Sequence, residues 1–302
     1  MLRLGSIVAA SFVAISIWQS QLWVTIDGEN AAIAKAYFAS RVEMVDRADL
    51  IALVHFDAVK KVEKKSPHWT YREEASGTIR KIYKASANHQ DMKVNSQIAV
   101  YGGETFICAQ TKLSSGDCLV FLQHQDGFWQ GANWHYSVLP VNGNQVKWLK
   151  SPHSREFAEA TLAEAARDIK TDIASKHILG NLPPFLAKLN AANQLADEHT
   201  GEAPRPQEEY LAYEQALANA SKYKKELETI ARYGTPSGQL YAASALWSID
   251  KKLAKQLFAA MESSRANVFY ISGCKGSNSP QGEIAQSLAS SGKYLNFKLT
   301  SK

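Results

Sequence analysis

The 302-residue sequence is poor in cysteine, in one-sided charge and in reactive motifs, and each shortage removes a class of protein. Its three cysteines form no Cys-x-x-Cys pair and no Cys/His zinc spacing, so a zinc module is excluded. The net charge of +5 is spread over both halves. A nucleic-acid binder gathers Lys and Arg on one face, and the only dense run here is Lys60, Lys61, Lys64 and Lys65. It reads as the solvated end of a strand, and no nucleic-acid partner is expected.

Catalytic constellations are missing too. Gly273-Cys274-Lys275-Gly276-Ser277 has the residues of a phosphate loop in the wrong order. Glu73 and Glu74 point to opposite faces of a strand and cannot share a substrate. His124, Asp126 and His135 do not make a metal-ligand spacing, and Cys274 has no base in view. No catalytic residue, metal or cofactor is expected.

What is present begins with Met1-Leu2-Arg3, a short basic flank, and an uncharged apolar stretch from Leu4 to Trp18. About 15 residues suits a signal-peptide core and is short of the roughly 20 that span a bilayer. Residues 1–26 are therefore read as a signal peptide, or, if uncleaved through Leu22, Trp23, Val24 and Ile26, as an inner-membrane anchor. The expected location is periplasmic or secreted, with membrane contact only through that segment. The Ala-rich stretch Asn30–Val45, without Gly or Pro, predicts a helix in the lead-in segment 27–47.

From 48 to 150 the pattern changes to short alternating apolar runs broken by Gly, Asn and Asp turns. Asp49–Phe56 continuing through Val62, Thr70–Lys84 and Gln97–Tyr101 read as the first three strands, the third ended by Gly102-Gly103. Two more flank Ser114-Ser115-Gly116-Asp117, and a last hairpin turns at Asn142-Gly143. Cys108 and Cys118 would sit in adjacent strands and form a disulfide once exported, leaving Cys274 over. Three buried apolar thiols are the alternative.

The segments ADLIALVHFDAVKKVEK (48–64), IRKIYKA (79–85) and DCLVFLQHQDGFW (117–129) resemble the netrin-like module, an OB-type barrel shared by tissue inhibitors of metalloproteinases and many exported bacterial proteins. The resemblance implies a closed antiparallel β-barrel over about 47–150. It does not imply inhibition of metalloproteinases. Those inhibitors resemble one another in an N-terminal zinc-chelating cysteine, and no cysteine precedes Cys108 here.

Residues 151–302 read as an all-α domain. Ser154 is the expected N-cap of a helix to about Lys176, with Phe157, Leu162, Ala165, Ile169 and Ile173 as its apolar stripe. Pro183-Pro184 starts another, and the segment 198–207 reads as an exposed loop. Gly234-Thr235-Pro236 is a helix stop followed by a start, and Asp250 caps the second member of a helical hairpin. That hairpin, SGQLYAASALWSIDKKLAKQLFAAMESS, is similar to one HEAT-like repeat, without a second copy.

The fold class is thus α+β: an N-terminal antiparallel OB-like or netrin-like β-barrel followed by an all-α C-terminal domain. Phe128, Trp129, Trp134, Tyr136 and Trp148 crowd the end of the strand region; Trp129, Trp134, Tyr136 and Trp148 are the expected binding residues, with barrel core as the alternative place for most of these rings. The expected function is an exported, non-enzymatic binding or interaction protein of the bacterial cell envelope, its partner another protein or an envelope polymer. An envelope hydrolase with dispersed catalytic residues and a structural scaffold are the alternatives.

Overall fold

In the strand region the chain alternates apolar and polar residues, and in the computed structural model, which describes residues 39–105, 109–149, 151–153, 156–200 and 206–300, those runs form one eight-stranded sheet. The segment 1–26 and the first part of the expected lead-in helix lie outside the described residues. The end of that helix is α1 (Arg41–Arg47). The Glu43 carboxylate accepts from both the amide (2.7 Å) and the hydroxyl (2.9 Å) of Ser40, a capping box that starts α1 where it does.

Two 16-residue strands, β1 (Leu50–Lys65) and β2 (Thr70–Ala85), lead the sheet. They are followed by β3 (Gln97–Gly102), β4 (Gly116–Gln125), β5 (Phe128–Gly131), β6 (Val138–Asn142), β7 (Gln145–Leu149) and β8 (Phe157–Thr161). β1 pairs with β2 and β2 with β3, β3 runs parallel to β5, β5 pairs with β4, and β4 returns to β1. The first five strands therefore form a closed circuit of pairings, from which β6, β7 and β8 extend in order.

Alternation decides which side chains go to which face. Leu50, Ala52, Val54 and Phe56 of β1 join Ala75, Ile79, Val100, Val120 and Leu122 in one cluster. Ile51, Leu119 and Phe121, on the opposite parity, join Met44, Trp148, Ala165 and Ile169 in a second. Both strands are buried on both faces there, so these runs are almost wholly apolar. β1 pairs with β4 only as far as Phe56; beyond it β1 pairs with β2 alone and becomes exposed.

β8 corrects the sequence reading. Phe157 lies on a strand, and α2 (Leu162–Gly180) starts at Thr161, whose hydroxyl accepts from the Glu164 amide, rather than at Ser154. Thr-x-x-Glu is a stronger start than a lone serine because two backbone donors are satisfied reciprocally. The expected strand before Ser114 is not found in 109–113, which carry no strand structure.

The C-terminal half is not all-α. α3 (Pro184–Asn190) is followed by β9 (Gln194–Thr200), then α4 (Glu208–Ala218), α5 (Lys224–Tyr233), α6 (Pro236–Trp247) and α7 (Lys251–Met261). β10 (Asn267–Gly273), β11 (Lys275–Pro280) and α8 (Gln281–Ser291) follow, and a short antiparallel pair, β12 (Lys293–Tyr294) and β13 (Phe297–Lys298), ends the described region. β10 pairs antiparallel with β11 and parallel with β9, giving a three-stranded sheet. Glu198, placed in a loop by its polar neighbours, is on β9. Strand character was hidden because, among its described side chains, β9 buries the apolar Leu195 and Ala196 next to the acid Asp197, without alternation, and β11, KGSNSP, has no large apolar residue.

Thr235 and Asp250 do cap α6 and α7, accepting from Gly238 and Leu253. α6 packs against α3, α4, α5, α7 and α8, and against β9 and β10. Every residue from Ser237 to Trp247 is buried, which its small side chains permit. A methyl group on Gly238 would stand 2.4 Å from the Leu189 carbonyl oxygen. Tyr241 closes the edge of β9, its hydroxyl accepting from the Ala196 amide and donating to the Ala196 carbonyl. Among the described residues no helix is long and apolar enough to cross a membrane.

Candidate functional site

The best-built surface cluster lies where the β1–β2 turn meets the β4–β5 turn. Ser66 shapes the first turn: its hydroxyl accepts from the amides of His68 (3.3 Å) and Trp69 (3.2 Å). The second is a two-residue hairpin, Asp126-Gly127, with φ of 55° and 81°. Left-handed backbone at both positions fits the tight turn that matches strand twist, and an Asp-Gly pair adopts it at small cost. His68 Nε2 stands 3.9 Å from Asp126 Oδ2, so the two turns face each other.

Rings collect around this junction. Trp69 meets Trp134 edge-on, with centroids 5.7 Å apart. Trp134 holds φ at 53°, left-handed backbone that costs a bulky residue of the order of 1–2 kcal/mol. Asn133 holds that bend from below: its amide donates to the Ser137 hydroxyl, and its side chain pairs with both backbone groups of Ala39. Tyr71, Tyr101 and Phe128 form a triangle with centroids 5.2–5.9 Å apart, and the Lys64 ammonium lies 5.2 Å from the Phe128 centroid. The buried Tyr71 hydroxyl donates to Gln130 Oε1, and Gln130 in turn donates to Gln125 at 2.8 Å. Burial holds the Tyr71 phenol above its ordinary pKa.

The carboxyl nearest to chemistry is Glu104, 2% exposed, in the connector after β3. Burial pushes its pKa up, against the pull of Thr111, whose amide and hydroxyl donate to its two oxygens at 2.6 and 2.7 Å. Those bonds fix the connector. They leave Glu104 a structural acid rather than a free acid or base.

The four expected binding residues do not share one face. Trp148 is core, 3% exposed, stacked on Phe121 at 5.8 Å and donating its indole N–H to Asp168. Trp129 packs instead with His89 and His124, the three rings mutually 4.7–4.9 Å apart. Tyr136 stacks between His135 and Phe157. Of the four only Trp134 belongs to the turn cluster; Phe128 was named among the rings and Lys64 was read as the solvated end of a strand, whereas His68, Trp69 and Tyr101 were passed over. The signal for them was the turn Ser66-Pro67-His68-Trp69, which puts a large ring where only tight-turn residues are needed.

Histidines 124 and 135 thus have different neighbours, and among the described residues no group of three or more His, Cys, Asp or Glu could hold a metal. Of the expected disulfide pair only Cys118 is described, and its ladder neighbours are Val54 on β1 and Pro140 on β6. Its buried Sγ lies 3.3 Å from the Ser114 hydroxyl, and Cys108 lies outside the described residues. Cys274 is exposed at the β10–β11 turn.

The buried ion pair joins the two halves of the molecule. Arg41, 4% exposed, donates to Asp172 through Nε (2.8 Å) and Nη2 (3.1 Å) and to Asp168 through Nη1 (2.8 Å). The Tyr233 hydroxyl donates to Asp172 at 2.8 Å, tying α5 to α2. Burial and then the Asp172 carboxylate push the Tyr233 phenol up to about 12. Compared with known protein families, curated proteins and solved structures, the chain matches none.

Proposed function

We propose that the closed strand circuit is an OB-type barrel of the netrin-like kind, and that the chain is an exported, non-enzymatic protein binding a polysaccharide of the bacterial cell envelope. The circuit supports the barrel, because strand order 1-2-3-5-4 returning to 1, with strands 3 and 5 parallel, is the OB arrangement and abolishes free edges among those five strands. OB-type barrels take their ligands at strands 2 and 3 and the 1–2 and 4–5 turns, the place where the rings gather.

The observations that carry the ligand reading are the Trp69–Trp134 pair, which joins the β1–β2 turn to the connection after β5, and the Tyr101–Phe128 pair on β3 and β5. Flat rings stack on the apolar faces of sugars, while polar tips meet hydroxyl groups. The charges around them are of both signs, Lys64 against Glu73, Glu74 and Asp126, which suits a polymer of low charge density better than a nucleic acid.

Affinity electrophoresis in gels containing solubilised envelope glycan tests the reading. Retardation of the wild type is expected, reduced about tenfold or more in affinity by Trp69→Ala and by Trp134→Ala, with unfolding midpoints little changed. Equal mobility with and without glycan, or retardation that survives both substitutions, refutes it. Cell fractionation tests export separately: full-length chain with an intact N-terminus in the cytosol of its native cell would contradict it.

A further inference from the structure

A second site lies in the helical region, along the seam where α2 and α5 run side by side. α2 presents Ala163, Ala166, Lys170, Ala174 and Ile178 along one stripe at spacings of three and four residues, the spacing that normally meets a partner helix. Ala163, Lys170 and Ala174 on that stripe are exposed among the described residues. α5 lines the other side along its length, from Lys225 to Tyr233, whose hydroxyl donates to Asp172, and the small residues of α2 leave a groove of about 680 Å³ between the two helices.

The rim of the groove is cationic. Lys81 of β2, Arg167 and Lys170 of α2, and Lys225 and Arg232 of α5 line it, against one carboxylate, Glu228. Glu228 is already bonded to Arg232 at 3.0 Å. Lys81, Arg167, Lys170 and Lys225 make no salt bridge among the described residues, although like charges at this density repel one another unless an anion enters. The other acids of this part of α2 are engaged: Asp168 and Asp172 are held by Arg41, and Glu164 accepts from the amide and hydroxyl of Thr161.

We infer that the groove binds an anionic amphiphile: a phosphate or carboxylate headgroup between the cations of the rim, and an apolar chain along the alanine floor of α2. The volume decides between a small molecule and a docked helix. Pockets for small organic ligands run from about 300 to 1,000 Å³, whereas a helix of several turns, about 10 Å across, needs more room than this groove has. A free inorganic anion would use the rim and leave the floor wet. A neutral lipid would leave the cations facing one another.

Titration calorimetry on the full chain with dodecyl phosphate, dodecanoate, inorganic phosphate and dodecyl maltoside, all below their critical micelle concentrations, tests the inference. Saturable one-to-one binding of at least one of the two anionic amphiphiles is expected, and comparing them tells which headgroup is preferred. Inorganic phosphate and the maltoside should each bind about tenfold more weakly or worse. The double substitution Lys170→Glu with Lys225→Glu should weaken the preferred ligand by about tenfold or more, since exposed charges there are not needed for folding. Ala174→Trp, a separate variant at an exposed position, should block the floor and abolish binding without reversing any charge. The inference is overturned by absent binding, by phosphate or maltoside binding as tightly, or by affinity unchanged in either variant. Glycan retardation by the turn cluster reads out independently of all of these.

Discussion

The strand circuit and the helical region bury their centres in different ways and leave different chemistry at their surfaces. The circuit sandwiches β1 and β4 between two apolar clusters, and past Phe56 its long hairpin carries rings and mixed charges into solvent. The helical region wraps a small-residue helix, α6, on every side, and what it leaves open is an alanine floor under a rim of cations. The difference teaches where ligand chemistry arises in each. Strands that outrun their partners expose large side chains, whereas helices of small residues leave hollows.

The largest test of this division concerns the tie between the halves. Asp172→Ala would leave the Arg41 guanidinium buried without its main partner, and a loss of about 3–5 kcal/mol is expected. Denaturant unfolding should then separate into two transitions, by tryptophan fluorescence for the strand region and far-ultraviolet dichroism for the helices. A single unshifted transition would mean that the ion pair does not hold the halves together.

Two glycine variants probe each half alone. A methyl on Gly77 would lie 2.1 Å from the His55 carbonyl oxygen across the β1–β2 ladder, and one on Gly238 would meet Leu189. Each of Gly77→Ala and Gly238→Ala is expected to cost about 1–3 kcal/mol. Hydrogen exchange should localise the loss to strand amides in the first and to α6 and its neighbours in the second. Exchange accelerated equally in both halves by either variant would argue against two separable cores.

The smallest effect is a pH slope. Glu104 has a folded pKa above its ordinary value near 4.5, so as pH rises past 4.5 the unfolded chain ionises first. The folded state then holds more protons, and stability falls until Glu104 itself ionises. The difference between wild type and Glu104→Gln should therefore shift toward the variant as pH rises from about 4.5, by about 1.4 kcal/mol per unit of displacement. A difference that moves toward the wild type would show Glu104 to be stabilised as a carboxylate. Thermal melts of both proteins at a series of pH values measure it.

Much of the strand region was legible because its periodicity and turns are local. β2 was expected over Thr70–Lys84 and ends one residue later, and the last hairpin forms around Gly143, whose φ is 64°. The helix starts at Thr235 and Asp250 could be read for the same reason. The second sheet could not. β9 is a strand because α6 and β10 stand beside it, and its sequence, Gln-Leu-Ala-Asp-Glu-His-Thr, carries no alternation of its own. At the turn cluster, Trp134 was visible as one ring among several, but its partner Trp69 is distant in sequence and only the closed circuit joins them. Trp148 could be read as core or as binding surface, because an aromatic with a polar handle looks alike in both; it is buried, and its partner Asp168 lies on a helix beyond the next strand.

The parallel pairing of β9 with β10 also bears on how the chain folds. Gln194 must find Phe269 with the whole of α4, α5, α6 and α7 between them. Closing a flexible loop grows more expensive by about 0.6 kcal/mol with each doubling of its length, so this pairing becomes favourable only after the intervening helices have shortened the path. Tyr241 on α6 then offers its hydroxyl to both backbone groups of Ala196, a docking point that exists only once α6 is in place. β9 is accordingly the last strand to join and the first to leave, and its release would bare the apolar flank of α6 while the eight-stranded sheet stays intact.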